Sequence, residues 1–140
     1  MPSPHSGGNA SGQIKGICVM THTKQRGVWA EDRVATLLCG RGWLLLERNW
    51  CCRWGELDLV LHKNGQLLVV EVKGRSSRDR DRGGLDAFGA CKRRKLACAI
   101  SCWRADHPEH AHQMLQVVLA LVPIGRPMVP IRWLPVDHLG

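Results

Sequence analysis

Nowhere in its 140 residues does the chain run to the ~20 consecutive apolar residues that a membrane-spanning helix requires, so a helical membrane protein is not expected. The opening Met1-Pro2-Ser3-Pro4-His5-Ser6-Gly7-Gly8 lacks a basic segment leading into an apolar one. Ile17 to Met20 is too short to serve as a signal core, and secretion is therefore not expected either. No two cysteines are spaced as Cys-x-x-Cys, and the count of seven is odd, which argues against a disulfide framework. Cys91, Cys98 and Cys102 fall at helical spacing and read as small buried thiols in a reducing, cytoplasmic compartment. A zinc site would have to recruit Cys98, Cys102, His107, His110 or His112, whose spacing matches no standard structural site. The chain also has no internal repeat.

Positive charge is present in excess. Twenty Lys and Arg against twelve Asp and Glu give a formal net charge of +8, which suits a polyanionic partner. The cations cluster at Lys73, Arg75, Arg78, Arg80, Arg82, Lys92, Arg93, Arg94 and Lys95. No strongly amphipathic basic helix accompanies them, so nucleic acid is the expected partner and a membrane surface is not. A solvated loop and helix face, partly neutralised by Asp79, Asp81 and Asp86, is the plainer reading of the same residues.

These cations directly follow the most informative stretch, Gly55 to Lys73. Asn64-Gly65 between two apolar runs predicts a two-residue type I′ hairpin with strands Glu56–His62 and Leu67–Lys73. Closing it on Lys63 and Gln66 places Asp58 opposite Glu71 and Glu56 opposite Lys73. Asp58 and Glu71 fall on a non-hydrogen-bonded pair, where Cα atoms come within roughly 4.5 Å. Leu57, Leu59, Leu61, Leu68, Val70 and Val72 are expected on the opposite, core-facing side.

Like charges opposed across a ladder repel, so the pair calls for a cation or a shared proton. Two carboxylates without Cys or His suit a hard ion such as Mg²⁺. Lys73, two residues beyond Glu71, is placed to orient or deprotonate a water or to offset phosphate charge. The alternative is an ion-pair cluster in which Lys73 bridges to Glu56.

Asp58 followed by Glu71-Val72-Lys73 resembles the D…(D/E)xK signature of the metal-dependent nuclease superfamily of restriction endonucleases and archaeal Holliday-junction resolvases. A longer string resembles the bacterial YraN family, which is assigned to that fold. It comprises Ala30-Glu31, Arg48-Asn49, Gly55-Glu56-Leu57-Asp58-Leu59-Val60, Val70-Glu71-Val72-Lys73-Gly74-Arg75 and Lys92-Arg93-Arg94-Lys95-Leu96. The likeness covers about residues 24–105. It departs at Met114-Leu115-Gln116-Val117-Val118, where the family usually carries Arg-Phe-Asp-Val-Val and Gln116 replaces the acid.

The resemblance implies a restriction-endonuclease-like α/β core and Mg²⁺ or Mn²⁺ held by Glu31, Asp58 and Glu71. It also implies Asp58, Glu71 and Lys73 as the catalytic set, with Glu56 as an additional candidate. A junction-cleaving member would be expected to act as a homodimer.

Along the rest of the chain, residues 1–22 are rich in Ser, Gly, Pro, His and Asn and read as a disordered tail. Residues 23–140 then form a single endonuclease-like domain. Val28, Val34, Ala35 and Leu38 predict a first helix over about 24–39, with Glu31 on its inward stripe. Trp43–Trp50 reads as a strand, and Trp43, Trp50 and Trp54 as buried anchors or stacking platforms. Residues 74–84 read as a loop. A second helix is expected over about 85–105, with Leu85, Phe88, Leu96, Ala99, Ile100 and Trp103 facing inward.

Strands at Met114–Val122 and Ile131–Val136 follow, the last with Pro135 at an edge. The order α-β-β-β-α-β-β gives helices flanking a mixed sheet. Two functions follow: a metal-dependent nuclease, or a non-catalytic nucleic-acid-binding accessory protein of recombination or repair. If the thiol reading holds, titration of denatured, unreduced protein recovers nearly all seven thiols. Recovery of three or fewer would instead indicate intramolecular disulfides.

Overall fold

The computed structural model of the chain describes residues 22–76, 89–137 and 139. Residues 1–21 of the expected tail lie outside this range. So do Arg78, Arg80 and Arg82 of the basic cluster, and Leu85 and Phe88 of the second expected helix.

Helix α1 (His22–Gly40) is followed by β1 (Leu44–Cys52), β2 (Gly55–Lys63) and β3 (Gln66–Arg75). Helix α2 (Ala90–Asp106), a short 3-10 turn (Pro108–His110), β4 (Met114–Pro123) and β5 (Arg132–Pro135) complete the chain. The architecture is α/β with the expected order. The five strands form one mixed sheet in the spatial order β1-β2-β3-β4-β5, antiparallel except for the parallel β3–β4 pair. A parallel pair needs a crossover, and α2 supplies it.

The hairpin forms as its turn residues dictate. Asn64 and Gly65 both take left-handed φ angles, 49° and 75°, as a type I′ turn requires. Pairing then runs from Lys63↔Gln66 to Leu59↔Val70 in the predicted register. The prediction of one core face and one charged face does not hold, because the sheet is covered on both sides.

Under α1, Ala30, Val34, Ala35 and Leu38 pack on Leu59, Leu61, Leu68, Val70, Ala120 and Val122. Under α2, Leu96, Ala99, Ile100 and Trp103 pack on Leu57, Val60, Leu67, Val69 and Val117. Strand β3 is central, and its run Leu67-Leu68-Val69-Val70 is at most 5% exposed, which explains why it is aliphatic at consecutive positions.

Leu57 was expected beside Leu59 and Leu61, yet it packs with Val60 on the α2 side. The alternation slips at the intervening Asp58, which belongs to neither ladder. Opposite it on β1, Asn49 is left-handed (φ 55°), and β1 is further offset by a bulge between Leu45 and Glu47.

Other expectations shift for similar reasons. Val28 lies at the edge of the α1 stripe, 38% exposed, and Ala30 takes the buried place. Helix α2 begins only at Ala90, after extended Gly89, and its inner stripe is Leu96, Ala99, Ile100 and Trp103. Cys91 is exposed rather than buried, Cys98 and Cys102 are half-buried, and all six described cysteines are free thiols. Trp43 and Trp50 pack against the two cores, whereas Trp54 is 37% exposed.

His107 stacks on Trp103 at 4.0 Å and His110 lies 5.6 Å from the same ring, so both are absorbed into packing at the α2 C-terminus. Pro135 ends β5, an edge strand, as expected. Among the described residues no helix is long and apolar enough to cross a membrane.

Leu59→Ala, at 0% exposure, should destabilise the protein by about 2–5 kcal/mol in urea unfolding. Val28→Ala should cost about 0.5 kcal/mol or less by the same measurement.

Candidate functional site

The β2–β3 ladder ends at Leu59↔Val70, one step before Asp58 and Glu71, and the two carboxylates take over from it. The Val72 backbone N–H donates to Asp58 Oδ2 at 2.8 Å, and the Asp58 N–H makes a longer bond, 3.4 Å, to Glu71 Oε2. Each side chain thus accepts a bond where a strand carbonyl would otherwise stand. The acids meet as the register predicts, but they are interlocked through backbone amides instead of merely facing each other.

Glu71 is 5% exposed and is the one buried charged residue among those described. Burial raises the carboxyl of Asp58 to about 8, with the Glu71 charge adding to the effect and the Val72 amide opposing it. Burial likewise raises Glu71 to about 7, against the lowering influence of Lys92 and of the bond from Asp58. The two titrate as a pair whose carboxyls are both raised, so the pair holds a proton near neutrality.

Glu31 reaches the same region from α1, its side chain 12% exposed. Its Oε1 accepts from Asn49 Nδ2 at 3.1 Å and lies 3.5 Å from Arg48 Nε. Burial raises its carboxyl too, partly offset by Asn49 and Arg48, and Glu31 and Glu56 both push Asp58 further up. Arg48 also pairs with Asp32 at 2.6 Å and donates to the Val28 carbonyl, fastening β1 to α1. Arg48 and Asn49 are the positioning residues whose roles the sequence does not disclose. The φ of 55° at Asn49 and its reach to Glu31 exist only once β1 lies beside α1.

The expected Glu56–Lys73 pair is absent among the described residues. The ladder does not extend that far, and Glu56 instead accepts from Cys51 Sγ at 3.4 Å across the β1–β2 pair. Lys73 is exposed and close enough for its charge to lower Glu71.

The Lys92–Lys95 run divides. Lys92 Nζ stands 3.8 Å from Glu71 Oε1, so this residue, expected to contact phosphate, serves here as a counter-ion. Lys92 and Lys95 line a cleft of about 250 Å³ with Trp54 and Glu56. At the rim Arg53 stacks over Trp54 at 4.7 Å. Arg93 is half-buried, Arg94 is exposed, and Arg75 is half-buried at the end of β3.

Among the described residues no three Asp, Glu, His or Cys side chains form a ready-made metal cluster. The donor chemistry of Asp58 and Glu71 nevertheless fits a hard divalent cation. The donors are oxygens only, largely withdrawn from water, with one oxygen of each held by a backbone amide. Gln116 has no bearing on this pair. It sits opposite Leu68 while Glu71 sits opposite Leu119, three residues and roughly 10 Å along the sheet.

Residues 30–120 match the model of the uncharacterised protein family UPF0102, a span holding Glu31, Asp58, Glu71, Lys73 and Lys92. The chain belongs to the UPF0102 family, the YraN family of the motifs above. It is 57% identical to a UPF0102 protein of Synechococcus sp. (strain CC9902) over 121 residues, 86% of this chain and 100% of the relative. A UPF0102 protein of Prochlorococcus marinus (strain MIT 9303) is 48% identical over 86% of this chain and 95% of its own length. One from Gloeobacter violaceus (strain ATCC 29082 / PCC 7421) is 44% identical over 66% and 74%.

For this UPF0102 chain the raised carboxyls give a definite sign. A group whose folded pKa lies above its unfolded value contributes stability at low pH and loses it as pH rises through the folded value. Metal-free protein should therefore melt at progressively lower temperature between about pH 5 and about pH 9, and Asp58→Asn should flatten that slope. A slope unchanged in Asp58→Asn would show that the pair is not the source.

Proposed function

We propose that the chain is a Mg²⁺- or Mn²⁺-dependent nuclease that hydrolyses phosphodiester bonds, with branched DNA the first substrate class to test. The observation that carries this reading is the interlocked Asp58–Glu71 pair, Glu71 buried and Asp58 half-buried, at the point where β2 and β3 part, with Lys73 two residues beyond Glu71. Asp58 and Glu71 would hold the cation, with Glu31 as an outlying ligand and Glu56 as a further candidate. The ion supplies a Lewis acid and a water of lowered pKa.

The chain's own contributions follow from placement. Burial excludes water from the Glu71 side, and Lys73, exposed at the same strand end, orients or deprotonates the attacking water or offsets charge on the phosphate. Lys95, Arg93, Arg94 and Arg75, with Arg78, Arg80 and Arg82, would contact the nucleic-acid backbone. The enzyme would work in the cytoplasm, as a homodimer if its substrate is a junction with two strands to cut.

A second reading, a nucleic-acid-binding protein without cleavage activity, draws on two observations. Among the described residues no three metal-ligating side chains converge, and Lys92 already compensates Glu71.

Calorimetric Mn²⁺ titration, with cleavage assays on linear, flapped and four-way DNA and on RNA, separates the two. Asp58→Asn should abolish metal binding without loss of fold, and Glu31→Ala should weaken it. Lys73→Ala should bind metal yet cleave slower by ~10² or more. Wild-type metal binding in Asp58→Asn, or wild-type protein that cleaves none of the substrates, would favour the second reading.

A further inference from the structure

On the far side of α1 from Glu31, a groove of about 680 Å³ runs between the helix and the segment leading into β5. The carboxylate pair makes no use of it. Trp29 and Trp133 both line it, with Thr36, Arg33 and Arg41. Trp29 is 36% exposed, and the adjoining Met128 and Val129 are 92% and 37% exposed, so large apolar surface is concentrated here.

Arg33 spans the groove wall. Its Nη2 donates to the carbonyls of Pro127 and Val129 at 3.1 and 2.6 Å, holding that segment on α1, while its Nη1 is buried without a partner. Asp32, the one acid in the lining, is committed to Arg48 at 2.6 Å, so the uncompensated charge of the groove is positive.

Two indole rings and two guanidinium groups lining a pocket of this size match a flat aromatic ligand that carries negative charge. We infer that this groove binds an unpaired nucleotide of a single-stranded nucleic acid, its base stacked on Trp29 and Trp133 and its phosphate compensated by Arg33 and Arg41. The inference rests on the nucleic-acid reading above and deepens it. A chain that takes unpaired nucleotides in this groove selects substrates with single-stranded segments, such as flaps, gaps or opened junctions. A fully paired duplex offers no free base to stack.

The experiment is fluorescence anisotropy of the full chain with a labelled oligothymidylate and with a duplex of equal length, in EDTA so that no cation-dependent step contributes. Trp29→Ala should weaken single-strand binding roughly 5- to 150-fold, the range for one base on one aromatic ring, and leave duplex binding unchanged. Trp29→Phe should retain most of the single-strand affinity. Arg41→Ala should weaken single-strand binding and lower the log K against log salt slope by about 1. It decides the matter should Trp29→Ala fail to fold in a thermal melt.

Equal losses on single strand and duplex, or none on either, would overturn the groove assignment while leaving the nuclease reading intact. Selective single-strand binding in a chain that binds no Mn²⁺ would support the groove and sink the nuclease. Wild-type protein that binds neither probe would overturn both.

Discussion

Two carboxylates placed where the strand ladder should continue are the constraint around which this molecule is arranged. Asp58 and Glu71 each accept a bond across the β2–β3 pair, so the strands part at the site without leaving the Val72 or Asp58 amide unsatisfied. Burying acids in this way is costly, and it raises the carboxyls of both. The surrounding structure mitigates it locally through Lys92 from α2 and the nearby charge of Lys73. A divalent cation would relieve that cost further, which is the link between the fold's electrostatics and the proposed chemistry.

The two-sided burial of the sheet serves the same end. β3 runs through the centre of the sheet with both faces covered, so Glu71 is delivered on a strand that cannot move independently of two cores. Helix α1 brings Glu31 to one side of the site and Asp32, Arg33 and Thr36 to the groove on the other. Arg48 bridges the two by contacting Glu31 and Asp32 together. One helix thus connects the acid cluster to the surface proposed to hold an unpaired nucleotide.

Turn chemistry and strand composition made the hairpin readable in advance. Asn64-Gly65 admits few other conformations, and a two-residue turn leaves one register, so the meeting of Asp58 with Glu71 followed from local residues alone. The inner stripe of α2 and the edge position of β5 were legible for the same reason, periodicity in one case and Pro135 in the other. Where the pattern misled, a non-local contact had intervened. Aliphatic residues at every other position suggested one buried face, yet consecutive Leu67 to Val70 are buried because helices pack on both faces.

The sequence by itself determined the element order, the hairpin register and the identity of the acids, since these depend on backbone preferences and residue spacing within about twenty positions. Only the tertiary structure decided how the acids are used. The slip at Asp58, the left-handed Asn49 that reaches Glu31, the turning of Lys92 onto Glu71 and the Trp29–Trp133 groove all join segments that are distant in the chain. No local propensity encodes such meetings, because they arise from the packing of whole elements against one another.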